Sequence, residues 1–377
     1  MRIIVAPDKF KSSLTAIDVC ASIERGIHQV LPNANVELFP LADGGDGFVA
    51  ALHRYTLASE VWVDSVDPIG RPIRAPYLWN ASTQTAYLEL AACSGLALLA
   101  VADRNPLQAS TFGTGLQIKH ALQQGAKSIV LGLGGSATHD LGMGILEALG
   151  FQLLDRWKKP IRATGFTLVD IEHIHPPADL PTASWHIAAD VTNVLCGPQG
   201  AAHTYAAQKG ANANMISFLE AASHHVAGLL QAVTTRSVLQ LPSGGAAGGV
   251  LAGLYPWFQP IVKPGVDWII EASGLEQVIQ NADWLITGEG KFDEQSLFGK
   301  VVGRIATIGQ RHQVPVLVVC GASTLTADQI NHWPIAGMCA LKTPDRSTTY
   351  CMENAGELVT SSIAAFFRAR SSGVPSV

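Results

Sequence analysis

The residues of this chain best suited to chemistry stand where apolar runs end, in turns rich in acidic residues and, at several, glycine. Asp190 follows the apolar run 185–189 and is joined by Thr192 and Asn193. A carboxylate at a strand end beside an amide can accept a hydroxyl proton, or it can simply fix the turn. Asp8, Lys9 and Lys11 follow the apolar run 3–6. Two ammonium groups at a strand's carboxyl end can hold phosphate or carboxylate as point charges; the alternative is a solvated loop. Asp43 leads into Gly44, Gly45, Asp46 and Gly47. There Asp43 can hold Mg²⁺ or a hydroxyl and the glycines admit a ligand, while Asp46 can cap the next helix. A fourth such junction, Gly288-Glu289-Gly290-Lys291-Phe292-Asp293, follows the run 282–287.

The stretch 128–145 is the centre of this pattern. It passes from a β-branched apolar run into Gly134, Gly135, Ser136 and Thr138, and then into a short helical pattern. Glycine lets a backbone approach a ligand closely, and a helix start carries a positive dipole end, so the expected guest is a phosphate. Gly132, Gly134 and Ala137 with Asp155 also imitate a dinucleotide fingerprint, a weak match by itself. A turn that needs glycine only for its geometry is the plain alternative.

These groups need elements to hold them. Thr15 and Asp18 form a capping box that opens a helix to about residue 30. A strand at 36–39, a helix from about 48 and antiparallel strands around 61–74 follow. Further strands are expected at 86–90 and 185–189, with a helix over 113–124 between them. The small-residue run 242–249 reads equally as a ligand loop or a close packing surface. After a strand at 282–287 the segment 288–300 reads as a loop, followed by a helix and a strand at 314–319. The expected fold is α/β with two α/β domains. A doubly wound parallel-sheet domain is built from both chain ends, 1–60 plus 285–377. A mixed α/β domain, 61–284, is inserted, with an active site in the cleft between them.

Composition narrows the function classes. The 377 residues are 48% hydrophobic and 15% charged with 36 glycines, which suits a compact α/β protein of about two domains. A net charge of −5 offers no footprint for nucleic acid or an anionic membrane. No signal peptide is read at the start, and the nearly uncharged run 90–102 is far short of the roughly twenty residues of a spanning helix. A soluble, cytoplasmic protein is expected. The six cysteines lack paired spacing and read as reduced core thiols. His173, His175, His224 and His225 read as surface or loop histidines without cysteine or carboxylate partners. P-loop, protein-kinase, zincin and nucleophile-elbow motifs are absent.

Six stretches occur together and in order: Ala6-Pro-Asp-Lys-Phe-Lys-Ser-Ser-Leu-Thr-Ala16, Pro40-Leu-Ala-Asp-Gly-Gly-Asp-Gly47, Gly132-Leu-Gly-Gly-Ser-Ala-Thr-His-Asp140, Asp190-Val-Thr-Asn193, Gly244-Gly-Ala-Ala-Gly-Gly249 and Gly288-Glu-Gly-Lys-Phe-Asp-Glu-Gln-Ser-Leu-Phe-Gly-Lys300. Through them the chain resembles the bacterial glycerate kinase family, type I. The resemblance implies transfer of the γ-phosphoryl of Mg-ATP to D-glycerate, usually at the 2-hydroxyl, in sugar-acid or glyoxylate catabolism. Homo-oligomer formation stays open.

On that resemblance Asp190 is expected to be the base, with Lys9 and Lys11 as catalytic cations. Asp8, Asp43, Gly44, Gly45 and Asn193 would bind substrate. Gly134, Gly135, Ser136, Thr138, Gly288, Glu289 and Gly290 would bind nucleotide phosphates. Asp43 and Asp293 would hold Mg²⁺. Ser12, His139, Val194 and Lys291 depart from the usual family residues, and His139 could alter nucleotide contacts or pH dependence. A kinase for another small hydroxy acid, a 3-phosphorylating enzyme and a non-catalytic sensor are the other readings. A dinucleotide oxidoreductase ranks last, because it leaves the Asp43, Asp190 and Glu289 junctions unexplained.

Overall fold

A computed structural model of the chain describes residues 1–44, 47–297 and 300–371. Its strands are β1 Arg2–Val5, β2 Asn35–Leu38, β3 Ser59–Val66, β4 Pro72–Asn80, β5 Thr85–Glu89, β6 Ser128–Gly132, β7 Gln152–Leu154, β8 His173–His175, β9 Ser184–Ala188, β10 Ile261–Lys263, β11 Trp284–Phe292, β12 Val316–Ser323 and β13 Gly337–Ala340. The chain divides into two compact units, Met1–Asp43 with Val266–Val377, and Gly44–Gly265.

The first unit holds a parallel sheet in the order β13-β12-β11-β1-β2. Its inner strands β1, β11 and β12 carry runs that are apolar on both sides, as a doubly covered sheet requires. Ile3, Val5, Ile286, Leu317 and Val319 join one core with Val19, Ile23 and Ile27 of the helix Ala16–His28 and Val359 and Ile363 of the helix Ala355–Ser371. The alternate residues Ile4, Leu285 and Val318 are fully buried as well. Each such side chain contributes roughly 1.5–3 kcal/mol on burial. The capping box of Thr15 and Asp18 is present. Gly26 lets the two helices touch, since a Cβ there would lie 2.5 Å from Thr360 O.

The second unit holds a six-stranded mixed sheet in the order β10-β9-β6-β5-β4-β3. β3, β4 and β5 are antiparallel neighbours, while β5, β6, β9 and β10 run parallel. Asp67 shapes the β3–β4 turn by accepting the N–H groups of Ile69 and Arg71. β7 and β8 form a separate antiparallel pair. Leu88, Ile129, Leu131, Ile145, Trp185 and Ile187 lie in the core of this unit.

The unit boundaries at Asp43/Gly44 and Gly265/Val266 differ from the expected positions near 60 and 285. Phe48 and Leu52, on the helix Phe48–Tyr55, are fully buried in the second unit. Arg304 of the helix Val301–Arg311 pairs with Asp267 at 2.6 Å, within the first unit. Another difference concerns residues 288–292, expected as loop. They continue β11, with Glu289 beside Cys320 and Phe292 beside Ser323 of β12. Two glycines and two charges hide a strand from residue patterning, but the neighbouring strand supplies the ladder.

Candidate active site

In the first unit, the carboxyl ends of β1, β11 and β12 gather one set of candidate groups. Asp8 N–H donates to Gly288 O at 2.9 Å, and Lys9 N–H donates to Asp8 Oδ1 at 2.6 Å. The loop therefore turns on its own aspartate directly beside β11. Gly288 and Gly290 are there for close approach: a Cβ at 288 would lie 2.1 Å from Val319 O, and one at 290 would lie 3.1 Å from Lys11 N. Ser12 takes φ 61°, a left-handed backbone at a residue other than glycine.

Glu289 stands among these groups. Burial pushes its carboxyl up to about 7, with the charges of Asp8 and Asp293 adding to that and Ser296 and Lys300 opposing it. Its Oε1 is buried without a hydrogen-bond partner. Asp293 Oδ2 lies 3.0 Å from Lys291 Nζ, and Asp293 N–H donates to Ser296 Oγ. Asp8, Lys9, Lys11, Gly288, Glu289, Gly290 and Asp293 thus share one sheet edge, whereas Asp43 ends the N-terminal segment of this unit. Gly45 lies outside the described residues, as does Asp46.

In the second unit Asp190 follows β9. Its Oδ2 accepts the N–H of Gly44 at 2.5 Å and its Oδ1 accepts the N–H of Gly265 at 3.1 Å. One carboxylate therefore holds the first and last residues of the unit. A Cβ at Gly44 would lie 2.9 Å from Asp190 Oδ2, so a side chain there would disturb that bond. Asn193 is committed to its own turn: Nδ2 donates to Gln199 O and Oδ1 accepts from Tyr205.

The central loop is built differently from the sequence expectation. The N-terminus of the helix Met143–Ala148 already holds an anion, the carboxylate of Asp140. Asp140 is fully buried and accepts the N–H groups of Thr111, Gly142 and Gly144 and the Thr111 hydroxyl. The positive end of the helix dipole is met by the chain's own carboxylate. Ser136 and Thr138 are buried too. Lys209 Nζ donates to Ser136 Oγ at 3.0 Å and to Thr138 O at 2.6 Å. Gly134 and Gly135 remain more open, and Gly135 has φ 68°.

Lys209 is the residue that sequence reading passed over, although it was visible in Gln208-Lys209-Gly210. It is 2% exposed, and burial holds its ammonium down to about 7 against the pull of Asp140. A lone lysine in a turn looks solvated until the fold closes over it. His139 is fully buried, and burial followed by the Lys209 charge lowers it to about 3. Ser223 Oγ donates to Leu219 O, so His139 Nε2 carries the proton it shares with Ser223 at 3.0 Å. A ring kept neutral in this way brings no titration near neutral pH to the loop.

The run 244–249 is a packing surface around that loop. A Cβ at Gly248 would lie 2.2 Å from Thr138 O, and Gly248 O accepts the Leu141 N–H. Asp155 is spent on its own turn, accepting from Trp157 and Lys159, which removes the imitation of a dinucleotide site. One histidine expectation fails: His224 lies 3.5 Å from Glu220 and clusters with Cys196. Glu220 and His224 are one helical turn apart, and the partnering cysteine comes from a distant loop that spacing alone does not reveal. All six cysteines are free thiols.

These features define an α/β enzyme of two units with acidic and basic groups at strand ends. The model of the Glycerate kinase family matches residues 3–371. A glycerate kinase of Bacillus subtilis is 38% identical over 325 residues, covering 85% of each chain. A glycerate 2-kinase of Escherichia coli is 37% identical over 331 residues, covering 86% of each. A crystal structure of a Salmonella typhimurium LT2 protein assigned as glycerate kinase 2 superposes with a TM-score of 0.83 at 34% identity, covering 99% of both chains. The chain belongs to the glycerate kinase family.

Proposed function

We propose that the chain transfers the γ-phosphoryl group of ATP to the 2-hydroxyl of D-glycerate, giving 2-phosphoglycerate and ADP. Family membership, together with the name of the Escherichia coli relative, glycerate 2-kinase, carries this reading. The reaction belongs to sugar-acid or glyoxylate catabolism, in the cytoplasm where ATP is supplied.

Phosphoryl transfer needs positioning, charge neutralisation and a base for the attacking hydroxyl. Asp190 takes the base role. The N–H groups of Gly44 and Gly265 fix its carboxylate after β9, and this carboxylate receives the hydroxyl proton. Lys9 and Lys11 neutralise the glycerate carboxylate or the transferring phosphate, as ammonium groups do on mobile stems. Gly134 and Gly135 offer the nucleotide phosphates a backbone that can be approached closely, and Lys209 stiffens the loop beneath them.

The carboxylates near the end of β11 suit Mg²⁺ in donor type, although among the described residues they are not gathered into one cluster. One of their oxygens, Glu289 Oε1, is buried without a partner. Glu289 or Asp293 would supply one carboxylate to an ion otherwise held by phosphate and water, with Asp8 and Asp43 as the other carboxylates in question. When bound, Mg²⁺ neutralises phosphate charge. Without it the buried Glu289 is held partly protonated by its surroundings.

Phosphorus NMR of the purified chain with D-glycerate, ATP and Mg²⁺ tests the reading. Growth of a 2-phosphoglycerate signal with ADP is expected. A 3-phosphoglycerate signal would overturn the hydroxyl assignment, and intact ATP with folded protein would overturn the substrate. Other hydroxy acids would then be assayed in the same way.

A further inference from the structure

Cys196, Glu220 and His224 bring a thiol, a carboxylate and an imidazole together, their ligand atoms all within 4.8 Å of one another. Among the described residues this is the one cluster of three such groups. Glu220 and His224 stand four residues apart on the helix Ala213–Thr234, so they share a face one turn apart. Cys196 reaches them from the turn after β9 and is 8% exposed.

A second observation points into the same place. Glu220 Oε1 accepts the Gly197 N–H at 2.6 Å and lies 3.5 Å from His224 Nε2. Its other oxygen, Oε2, is buried and has no hydrogen-bond partner. A buried carboxylate oxygen left unpaired is costly, and here it belongs to a member of the cluster, with lone pairs still to be satisfied. His224 is 56% exposed, which leaves a solvent path and room for the ring to swing inward.

We infer that Cys196, Glu220 and His224 form a binding site for a borderline-soft divalent cation of the Zn²⁺ type, with water as the fourth ligand. A sulfur, nitrogen and oxygen donor set at this spacing suits Zn²⁺ or Co²⁺, whereas Mg²⁺ and Ca²⁺ call for oxygen alone. On binding, the Cys196 S–H bond breaks, its proton passes to solvent, and the sulfur–metal bond forms with no change of oxidation state. The ion ties the turn carrying Asn193 and Gly197 to the helix Ala213–Thr234. The site involves none of the groups assigned to phosphoryl transfer, so it stands or falls separately from the kinase reading.

The test is titration of the reduced, chelator-treated full chain with Co²⁺, read by the near-ultraviolet thiolate-to-cobalt charge-transfer band, followed by displacement with Zn²⁺. One equivalent is expected. Cys196→Ser should abolish the band. His224→Ala changes a half-exposed residue and should leave the fold intact while weakening binding beyond the roughly tenfold that outer-shell changes cost. Zn²⁺ should raise the melting temperature of the unaltered chain and leave that of Cys196→Ser in place. Absence of the band, its survival in Cys196→Ser, or unchanged affinity in His224→Ala would each overturn the assignment.

Discussion

Asp190 Oδ2 accepts the backbone N–H of Gly44 at 2.5 Å, a bond between residues 146 positions apart in the chain. Through its other oxygen the same carboxylate accepts the N–H of Gly265. The group proposed to receive the substrate proton is thus also a tie between the two ends of the second unit. Donors on both oxygens fix the carboxylate, so its value as a base lies in its position.

Asp190→Asn separates the two roles. The amide keeps one oxygen to accept a backbone N–H but cannot take up a proton. Turnover is expected to fall by roughly 10²–10⁴-fold, the usual contribution of a general base. Circular dichroism should show the fold retained. Near-normal turnover in the folded variant would remove Asp190 from the base role.

Lys209→Met removes the support of the central loop while keeping the side chain's length. Burial depresses the ammonium to about 7 in the folded chain against an ordinary 10.5, so the folded state penalises its charge. The stability present at high pH is therefore lost as pH falls from about 10.5 to about 7. That slope should be absent in the variant, a difference of at most about 5 kcal/mol over the window. At high pH the variant should be less stable by roughly 1–3 kcal/mol, because Thr138 O and Ser136 Oγ lose their donor. Urea unfolding at pH 7 and pH 10 measures both effects.

Glu289→Gln gives the opposite pH dependence. Its carboxyl rises from 4.5 to about 7 on folding, so the unaltered chain loses stability as pH climbs through that interval. The glutamine variant should escape this loss and be more stable at pH 8 by up to about 3 kcal/mol, with the advantage gone near pH 4.5. The proposed Mg²⁺ role predicts that the same variant needs more Mg²⁺ for half-maximal activity. An unchanged Mg²⁺ requirement would remove Glu289 from the metal set.

His139→Asn tests whether the departure from the usual family residue affects the pH response. The ring is held neutral, its basicity lowered to about 3 by burial and by Lys209. The variant should therefore leave every apparent pKa of the activity profile between pH 5 and 9 in place. A shift of either limb would show that the histidine is protonated during turnover.

Residue order alone determined a good deal of this protein. Apolar runs ending in glycine or aspartate turns located β1, β6, β9 and the first half of β11, and Thr15 with Asp18 marked a helix start that the fold uses. These are short-range effects, set by strand propensity and local hydrogen bonds within a few residues. The six ordered stretches carry the glycerate kinase family signature, and the family match extends over residues 3–371.

Tertiary structure decided what each polar group does. Asp140 occupies the helix start that read as a phosphate seat, and Lys209 is folded under a loop 71 residues away by sequence. The second half of β11 becomes strand because β12 lies beside it. Glu220 and His224 gain a thiol from a separate turn. Burial, partnering and ladder pairing depend on which distant segment arrives at a given place, and local propensity carries no record of that arrival.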